Sequence, residues 1–414
     1  MTASPSPEEL KPLSDLRFTI DRETFANAIN WVARTLPSRP LNPTLGGIHL
    51  TTDTDDGTLC LQAYDYEVSA AIRLPAAEVH SPGASLVSGR LLAAISRAFP
   101  KKPVEFSHNG TVAGIKCGTA DFALPTMHAE DFPLLPTHPA VTGMVDAEVF
   151  AEAAAQTVVA ASRDGAVMQI ACVCVEITDD DTLTLFATDK HRIAMRQLPW
   201  TPAGPRDTSV RDAPLYQVGA RFLVPTRAIG EIGRMGGAEV ALSFADNLLG
   251  ISGDERRTTT RLIDAQFPDA RRVMPTEHTA IAVVNVAEVA EAVNRAALLD
   301  EREFPRVRLE FNQDVLHLSG GKEGIGAIRE DIAIDFAGEP IALWVNPKYL
   351  TDALAALRAG KGYVAFTGTK RPIMFAAYDG DPVGGAGPFP GLLEHVQPNY
   401  VHLVMPTAGD ARTA

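Results

Sequence analysis

Asp189, His191 and Arg192 lie side by side in Leu185-Phe186-Ala187-Thr188-Asp189-Lys190-His191-Arg192-Ile193-Ala194. A carboxylate, an imidazole and a guanidinium this close together are groups that acid–base chemistry uses, given a partner within reach in a cleft. No nucleophile motif, phosphate-binding loop or metal triad accompanies them. An Asp just before a turn also has a plainer use, as a cap for backbone N–H groups. The flanks predict how the cluster is held. Leu183, Leu185 and Phe186 form a strand-like run into the turn, and Ile193 and Ala194 lead out of it, so the stretch reads as a hairpin carrying a small cationic cluster.

The chain has 414 residues, 46% apolar and 21% charged. That length needs two or three domains, and the composition is that of a soluble globular protein. No apolar run long enough to span a membrane occurs, and cytoplasmic residence is expected. Residues 1–15 are polar and Pro-rich and are expected to be a disordered leader. Cys60, Cys117, Cys172 and Cys174 make no disulfide framework. Cys172 and Cys174 are two apart on a strand and point the same way, and no second Cys or His pair stands at metal spacing. Buried thiols are therefore expected, with no metal and no cofactor. The net charge of −14 argues against a binder that grips nucleic acid by wholesale phosphate neutralisation, but it leaves room for positive charge gathered on one surface.

Internal similarity organises the rest. Three segments open with a strand and continue into an amphipathic helix: Phe18-Thr19-Ile20 into Thr24–Ala33, Gly143-Met144-Val145 into Val149–Val158, and Ala280–Val284 into Val289–Leu298. Each third then repeats the plan, with Leu86-Val87-Ser88-Gly89-Arg90, Leu223-Val224-Pro225-Thr226-Arg227 and Trp344-Val345-Asn346-Pro347-Lys348 as equivalent units. In each, a strand ends and a Ser, Thr or Asn cap leads into a helix. Alternating strands follow, such as Val104-Glu105-Phe106, with Asn109-Gly110 marking a hairpin. Six strand–helix–strands units predict an α+β fold of three tandem domains with antiparallel sheets, at 16–140, 141–276 and 277–414. Thr201–Gln217 and Asp381–Pro390 read as a surface insertion and a Gly/Pro-rich loop.

The helices carry the cations in register. Arg90, Arg227 and Lys348 open the second helix of each third; Arg97 and Arg234 follow two turns later, and the last third has Arg358 instead. The first helices add Arg34, Arg163 and Arg295. Any soluble helix needs a polar face, and Arg is a good helix former, so each residue alone has a bland explanation. The recurrence favours a basic lane on an acidic body, suited to loose, sequence-independent contact with phosphates. No aromatic residues interleave it, so single-strand stacking is not suggested.

These segments carry a resemblance. Ser38-Arg39-Pro40-Leu41-Asn42-Pro43-Thr44-Leu45, Ala63-Tyr64-Asp65-Tyr66-Glu67-Val68, Ala187–Ala194, Phe267-Pro268-Asp269 with Arg271-Arg272-Val273-Met274-Pro275, and Val404-Met405-Pro406 resemble, in order, the bacterial sliding clamp family, the beta subunit of DNA polymerase III. The resemblance implies a non-catalytic homodimeric ring, with helices lining a hole for duplex DNA and sheets outside. Arg39 would join Arg34, Arg90, Arg97, Arg163, Arg227, Arg234, Arg295, Lys348 and Arg358 in facing the DNA. A hydrophobic pocket of Ile170, Thr188, Lys190, His191, Arg192, Ile193, Pro268, Val273, Met374, Leu403 and Met405 would receive short peptides from the polymerase III alpha subunit, the clamp loader, and other polymerases and repair proteins. The ring would close through Phe122 and Leu124 on an edge strand against Leu298 and Leu299 on a helix. A scaffold that uses the pocket without encircling DNA is the alternative. Three positions depart from the family: Lys190 stands where Gly is usual, Ile170-Ala171-Cys172 where a Leu-Thr-Gly-like run is usual, and Thr407-Ala408 with a polar tail where an apolar and a basic residue are usual. Drift explains such changes; so does a variant clamp whose pocket disfavours a clamp-directed inhibitor.

Overall fold

The computed structural model describes residues 16–53, 56–75, 77–165, 167–178, 181–203, 219–232, 235–245, 247–275, 277–300, 305–322, 326–380 and 399–408. The leader, Arg234, most of the expected insertion and the expected Gly/Pro-rich loop lie outside them. The strands named below pair antiparallel, as expected.

Among the described residues six α-helices recur in pairs. The first unit holds α1 (Arg22–Val32) and α2 (Gly89–Arg97); the second holds α3 (Ala147–Val158), α4 (Thr226–Ile232), α5 (Val286–Ala297) and α6 (Pro347–Leu357). Their starts are written in the sequence. The Asp21 carboxylate accepts from the N–H groups of Glu23 and Thr24 at 2.8 and 2.9 Å. Asp146 accepts from Val149 at 2.9 Å, Asn285 from Glu288 at 3.2 Å, and Asn346 from Lys348 at 2.9 Å. These bonds satisfy donors that a helix N-terminus leaves orphaned. Ser88 occupies the equivalent position before α2 but makes no side-chain cap bond. Each helix buries one stripe; in α1 it is Phe25, Ala28, Ile29, Trp31 and Val32.

The repeats are three, but the compact units are two: residues to Gly143 with Met235–Arg261, and Met144–Arg234 with Leu262 onward. The middle repeat is divided because its two halves pair with different neighbours. In the first unit, its strand Arg256–Arg261 adds to Val68–Leu74 of the first repeat, with Thr258 opposite Ala70. Ser69 and Thr259 hydroxyls meet there at 2.6 Å, fully enclosed. The sheet then continues through Leu59–Tyr64, Gly47–Thr52 and Ala84–Ser88 to Ala120–Met127. In the second unit, the middle repeat's strand Arg192–Pro199 adds to Tyr400–Val404, the last strand of the third repeat, within a nine-stranded sheet. A four-stranded sheet, Gly326–Ala333, Val315–Lys322, Val307–Asn312 and Ile341–Val345 in order, completes that unit.

All four cysteines are free and buried. Burial pushes the Cys172 thiol up to about 11 and Cys174 to about 12, so neither supplies thiolate at neutral pH. No group of His, Cys, Asp and Glu among the described residues is placed to hold a metal ion, and no described helix is long and apolar enough to cross a membrane.

Candidate functional site

The hairpin turn is built by Asp189. Its Oδ1 accepts from the N–H groups of His191 and Arg192 at 3.0 and 3.1 Å, while Thr188 Oγ1 accepts from the Lys190 N–H at 3.1 Å. The first repeat makes the same turn: Asp65 Oδ1 accepts from Glu67 and Val68 at 3.0 and 2.7 Å. Both turns hold the residue after the Asp in the left-handed region, Tyr66 at φ 72° and Lys190 at φ 80°. Asp189 also receives the Arg192 Nε at 2.9 Å. The carboxylate and guanidinium of the would-be catalytic cluster are thus committed to structure. The His191 ring stacks near Tyr349, centroids 6.1 Å apart.

Left-handed backbone costs a residue with a Cβ about 1–2 kcal/mol, partly offset in Gly by its greater unfolded-state entropy. Lys190→Gly is therefore expected to raise stability by about 0.5–1 kcal/mol, and Lys190→Ala, which keeps the Cβ, to give no gain. Urea midpoints of the three proteins check this; an equal gain from Ala and Gly would contradict the strain argument.

Beside the turn opens a mainly apolar cavity of about 250 Å³. Thr188, Lys190, Arg192 and Ile193 form one side, Pro268, Asp269, Ala270 and Val273 another, and Pro372, Leu403 and Met405 the third. Strand register explains the convergence. Ile193 lies opposite Leu403, and Leu403 lies opposite Met374 on the next strand. The Met405 N–H donates to the His191 carbonyl at 2.8 Å, carrying the chain past the turn.

Three residues expected at the pocket are not in its lining. Met374 sits one strand further in, within the core cluster of Leu403 and Tyr363 against which Ile193 and Met274 pack. Ile170 is buried at the end of a 3-10 turn, Met168–Ile170, just before the wholly buried strand Cys172–Ile177. His191 faces Tyr349. Asp269, Ala270 and Pro372 were missed. Asp269 and Ala270 fall inside the Phe267–Val273 stretch that already marked the site. Pro372 carries no signal of its own, because only the pairing of Ile373–Tyr378 with the last strand brings it there.

Arg192 is 4% exposed, and its Nη1 donates to Asp352 Oδ2 on α6 at 2.7 Å. Its guanidinium lies 4.6 Å from the Tyr349 ring centre. Burial pushes the Asp352 carboxyl up, but hydrogen bonds from Arg192 and Lys348 outweigh it and hold it below the usual carboxylate range. This linkage fastens the middle repeat's turn to the third repeat's helix.

The basic residues divide. Arg90, second in α2, donates from Nη2 to the Pro37 carbonyl at 3.0 Å and to that of Ser38, clasping the loop that exposes Arg39. Arg97 Nε donates to Asn30 Oδ1 at 3.1 Å. Arg34 is exposed in the 3-10 turn Ala33–Thr35. Arg163 is exposed but lies in the loop after α3 rather than on the helix, which ends at Val158. Arg227 is second in α4. Arg295 makes a two-pronged pair with Glu330 at 2.8 and 2.6 Å. Lys348 pairs with Asp352 at 3.1 Å, and Arg358, just past α6, with Glu152 at 3.5 Å. At least three of the expected phosphate-facing cations are therefore already matched by carboxylates.

Two of the strands with a free edge among the described residues bear on ring closure: Ala120–Met127, which beyond its hairpin partner pairs only at Thr126 and Met127, and Gly326–Ala333, at one end of the four-stranded sheet. Phe122 is half-buried near Phe99, centroids 6.2 Å apart, while Leu124 is 3% exposed and belongs to the core. Leu298 caps the end of α5 and is 79% exposed; Leu299 behind it is half-buried.

Family models of the DNA polymerase III beta subunit match the chain in three consecutive pieces: the N-terminal domain at residues 16–136, the central domain at 144–269 and the C-terminal domain at 271–382. The chain belongs to the bacterial DNA polymerase III beta sliding clamp family. It is 35% identical to the beta sliding clamp of Streptomyces coelicolor over 398 residues, 94% of this chain and 99% of that one. It is 34% identical to the beta sliding clamp homolog GriR of Streptomyces muensis, over 85% of this chain and 91% of that one. A crystal structure of the Pseudomonas aeruginosa sliding clamp bound to griselimycin shares its fold, with a TM-score of 0.81 at 22% identity, covering 96% of this chain and all of that one. The protein is accordingly a sliding clamp of DNA replication, a processivity factor without catalysis of its own, and the reading of Asp189, His191 and Arg192 as acid–base groups falls away.

Proposed function

We propose that two copies close into a ring that encircles duplex DNA in the cytoplasm, without reading its sequence, and tethers the polymerase III alpha subunit, the clamp loader and other polymerases and repair proteins through the pocket at Thr188–Ile193. The cavity of about 250 Å³ carries this reading. It is lined by Ile193, Val273, Leu403 and Met405, which suit apolar peptide anchors, with Lys190 and Asp269 at polar positions. The free edges of Ala120–Pro125 in one protomer and of Gly326–Ala333 in the next suit closure by strand pairing, with Phe122 and Leu298 as apolar contacts. Toward DNA, Arg295, Lys348 and Arg358 already pair with carboxylates, and the exposed Arg39 and Arg163 lead the cations that meet phosphates, with Arg34, Arg90, Arg97 and Arg227 beside them. Few contacts and retention by topology permit sliding.

The protein is expected to stay on nicked circular DNA once loaded and to slip off when that DNA is cut to a linear form. Equal loss from both would rule out encirclement and favour the non-ring scaffold. Solution mass, read in parallel, is expected to be that of a dimer.

A second reading rests on Lys190, a strained residue with a long cationic stem in the pocket wall. In this reading the chain is a variant clamp that keeps its polymerase peptides and excludes a ligand such as the griselimycin of the Pseudomonas aeruginosa structure. Lys190→Gly is then expected to bind griselimycin more tightly while its affinity for a polymerase alpha-subunit peptide stays the same. Equal affinities of the two proteins for both ligands would end this reading.

A further inference from the structure

Met405 stands between two anchors. On one side its own N–H is held by the His191 carbonyl at 2.8 Å. Two residues later the Thr407 N–H donates to the Trp344 carbonyl at 2.8 Å, and the two residues form an isolated antiparallel bridge. Trp344 belongs to Ile341–Val345, the end strand of the four-stranded sheet, so the chain past the last strand docks on an otherwise open edge. Arg306 closes the attachment. Its Nη1 donates to the Ala408 carbonyl at 2.6 Å, and its guanidinium lies 5.4 Å from the Trp344 ring centre. The Arg306 backbone is itself fixed, its N–H donating to Asp300 Oδ2 at 3.0 Å. Pro406 between the anchors restricts Met405 to extended backbone.

We infer that Met405–Ala408 is a strap, and that Arg306, with the Thr407–Trp344 bridge, sets the affinity of the pocket for peptide by holding the Met405 wall in place. Neither Arg306 nor Trp344 lines the cavity. They are positioning residues. With the strap attached, the methionine side chain is presented to the pocket from a backbone fixed on both sides. With it released, Met405 and the residues after it are ordered only when peptide arrives, and that cost weakens binding. The departure of this tail from the family pattern at Thr407 falls on the strap itself. The inference rests on the peptide-pocket reading given above.

The test uses the full chain and a fluorescein-labelled synthetic peptide from the polymerase III alpha subunit, with affinity read by fluorescence anisotropy. Arg306→Ala and Thr407→Pro, the latter lacking the N–H that bonds Trp344, are each expected to bind about fivefold more weakly than the parent. Arg306→Lys, which keeps a donor for the Ala408 carbonyl, is expected to recover most of the loss. In protein carrying ¹³C-methyl methionine, the Met405 methyl signal of the two weak variants is expected to narrow and move toward that of a mobile side chain, with the thermal midpoint unchanged. Parent-like affinity in both variants while Met405→Ala binds weakly would overturn the strap and leave the pocket standing. Equal binding by the parent and Met405→Ala would remove the pocket reading, and the strap with it. An unmoved Met405 methyl signal in Thr407→Pro, which alters the tail alone, would also overturn it.

Discussion

Arg192→Met is expected to cost about 3–5 kcal/mol of stability, the range found when one partner of a buried ion pair is removed. Arg192 is 4% exposed and answers two carboxylates, Asp189 at 2.9 Å and Asp352 at 2.7 Å, with Tyr349 beneath its guanidinium. Methionine fills much of the volume but leaves both acids without their cation. Asp352 keeps Lys348 at 3.1 Å, on a residue half exposed to water, which is a weak substitute. Asp189 keeps its backbone N–H groups, so the turn itself should persist and the loss should concentrate at the junction of strand and α6. Urea unfolding of the parent and variant checks the size. A double-mutant cycle with Asp352→Asn locates it: the double variant should lose clearly less than the sum of the singles. A loss under 1 kcal/mol for Arg192→Met would show that the pair only replaces interactions equally well made with water.

The three-fold plan was legible because helices announce themselves locally. Asp21, Asp146, Asn285 and Asn346 stand just before apolar stripes of helical period, and each caps the helix that follows. The grouping into two compact units was not legible. It depends on Arg256–Arg261 finding Val68–Leu74, and Arg192–Pro199 finding Tyr400–Val404, and no local pattern specifies a partner strand so distant along the chain. The basic lane shows the same limit. Spacing located the cations, but whether each is free for phosphate depends on carboxylates elsewhere: Glu330 for Arg295, and Glu152 for Arg358. Asp352, four residues after Lys348 on α6, and Glu291, four residues before Arg295 on α5, were within reach of a sequence argument.

The pocket was legible in its turn and less so in its walls. The Asp189-Lys190-His191-Arg192 run specified a cap and a tight turn, and Asp65-Tyr66-Glu67-Val68 repeats it with the same two bonds and the same left-handed residue. What separates the two sites is the supporting layer. Around Tyr64 in the first repeat the chain packs Phe132 and Leu135 into a cluster with Leu86. Around Thr188 the equivalent segment, Pro268–Val273, stands off and leaves the cavity open.

Acid is expected to unfasten the second unit through His402. This imidazole is wholly buried, one residue before the pocket's Leu403. Tyr400 OH donates to the Gln156 carbonyl at 3.1 Å and lies 2.8 Å from His402 Nδ1, so Nδ1 carries the proton and donates to the phenol oxygen. Nε2 has no hydrogen-bond partner among the described residues. A second proton there would be charged, buried and unmatched. Burial, reinforced by the nearby Arg192 charge, pushes the group down to about 3. The unfolded chain takes up that proton near pH 6.5 and the folded protein does not. The stability this group confers is therefore complete above about pH 6.5 and falls by about 1.4 kcal/mol per unit below it, reaching a loss of about 2 kcal/mol at pH 5. Burial also pushes His49 and His278 down, so the parent will lose stability in acid for more than one reason. The decisive quantity is the difference between the parent and His402→Gln, whose amide can still donate to Tyr400. Urea midpoints across pH 5 to 8 should fall less steeply for the variant below pH 6.5 and run parallel to the parent above it. Parallel curves throughout would mean that His402 accepts its proton in the folded state. Peptide affinity should follow the same limb, because the strand that carries His402 also carries Leu403 and leads directly into Met405.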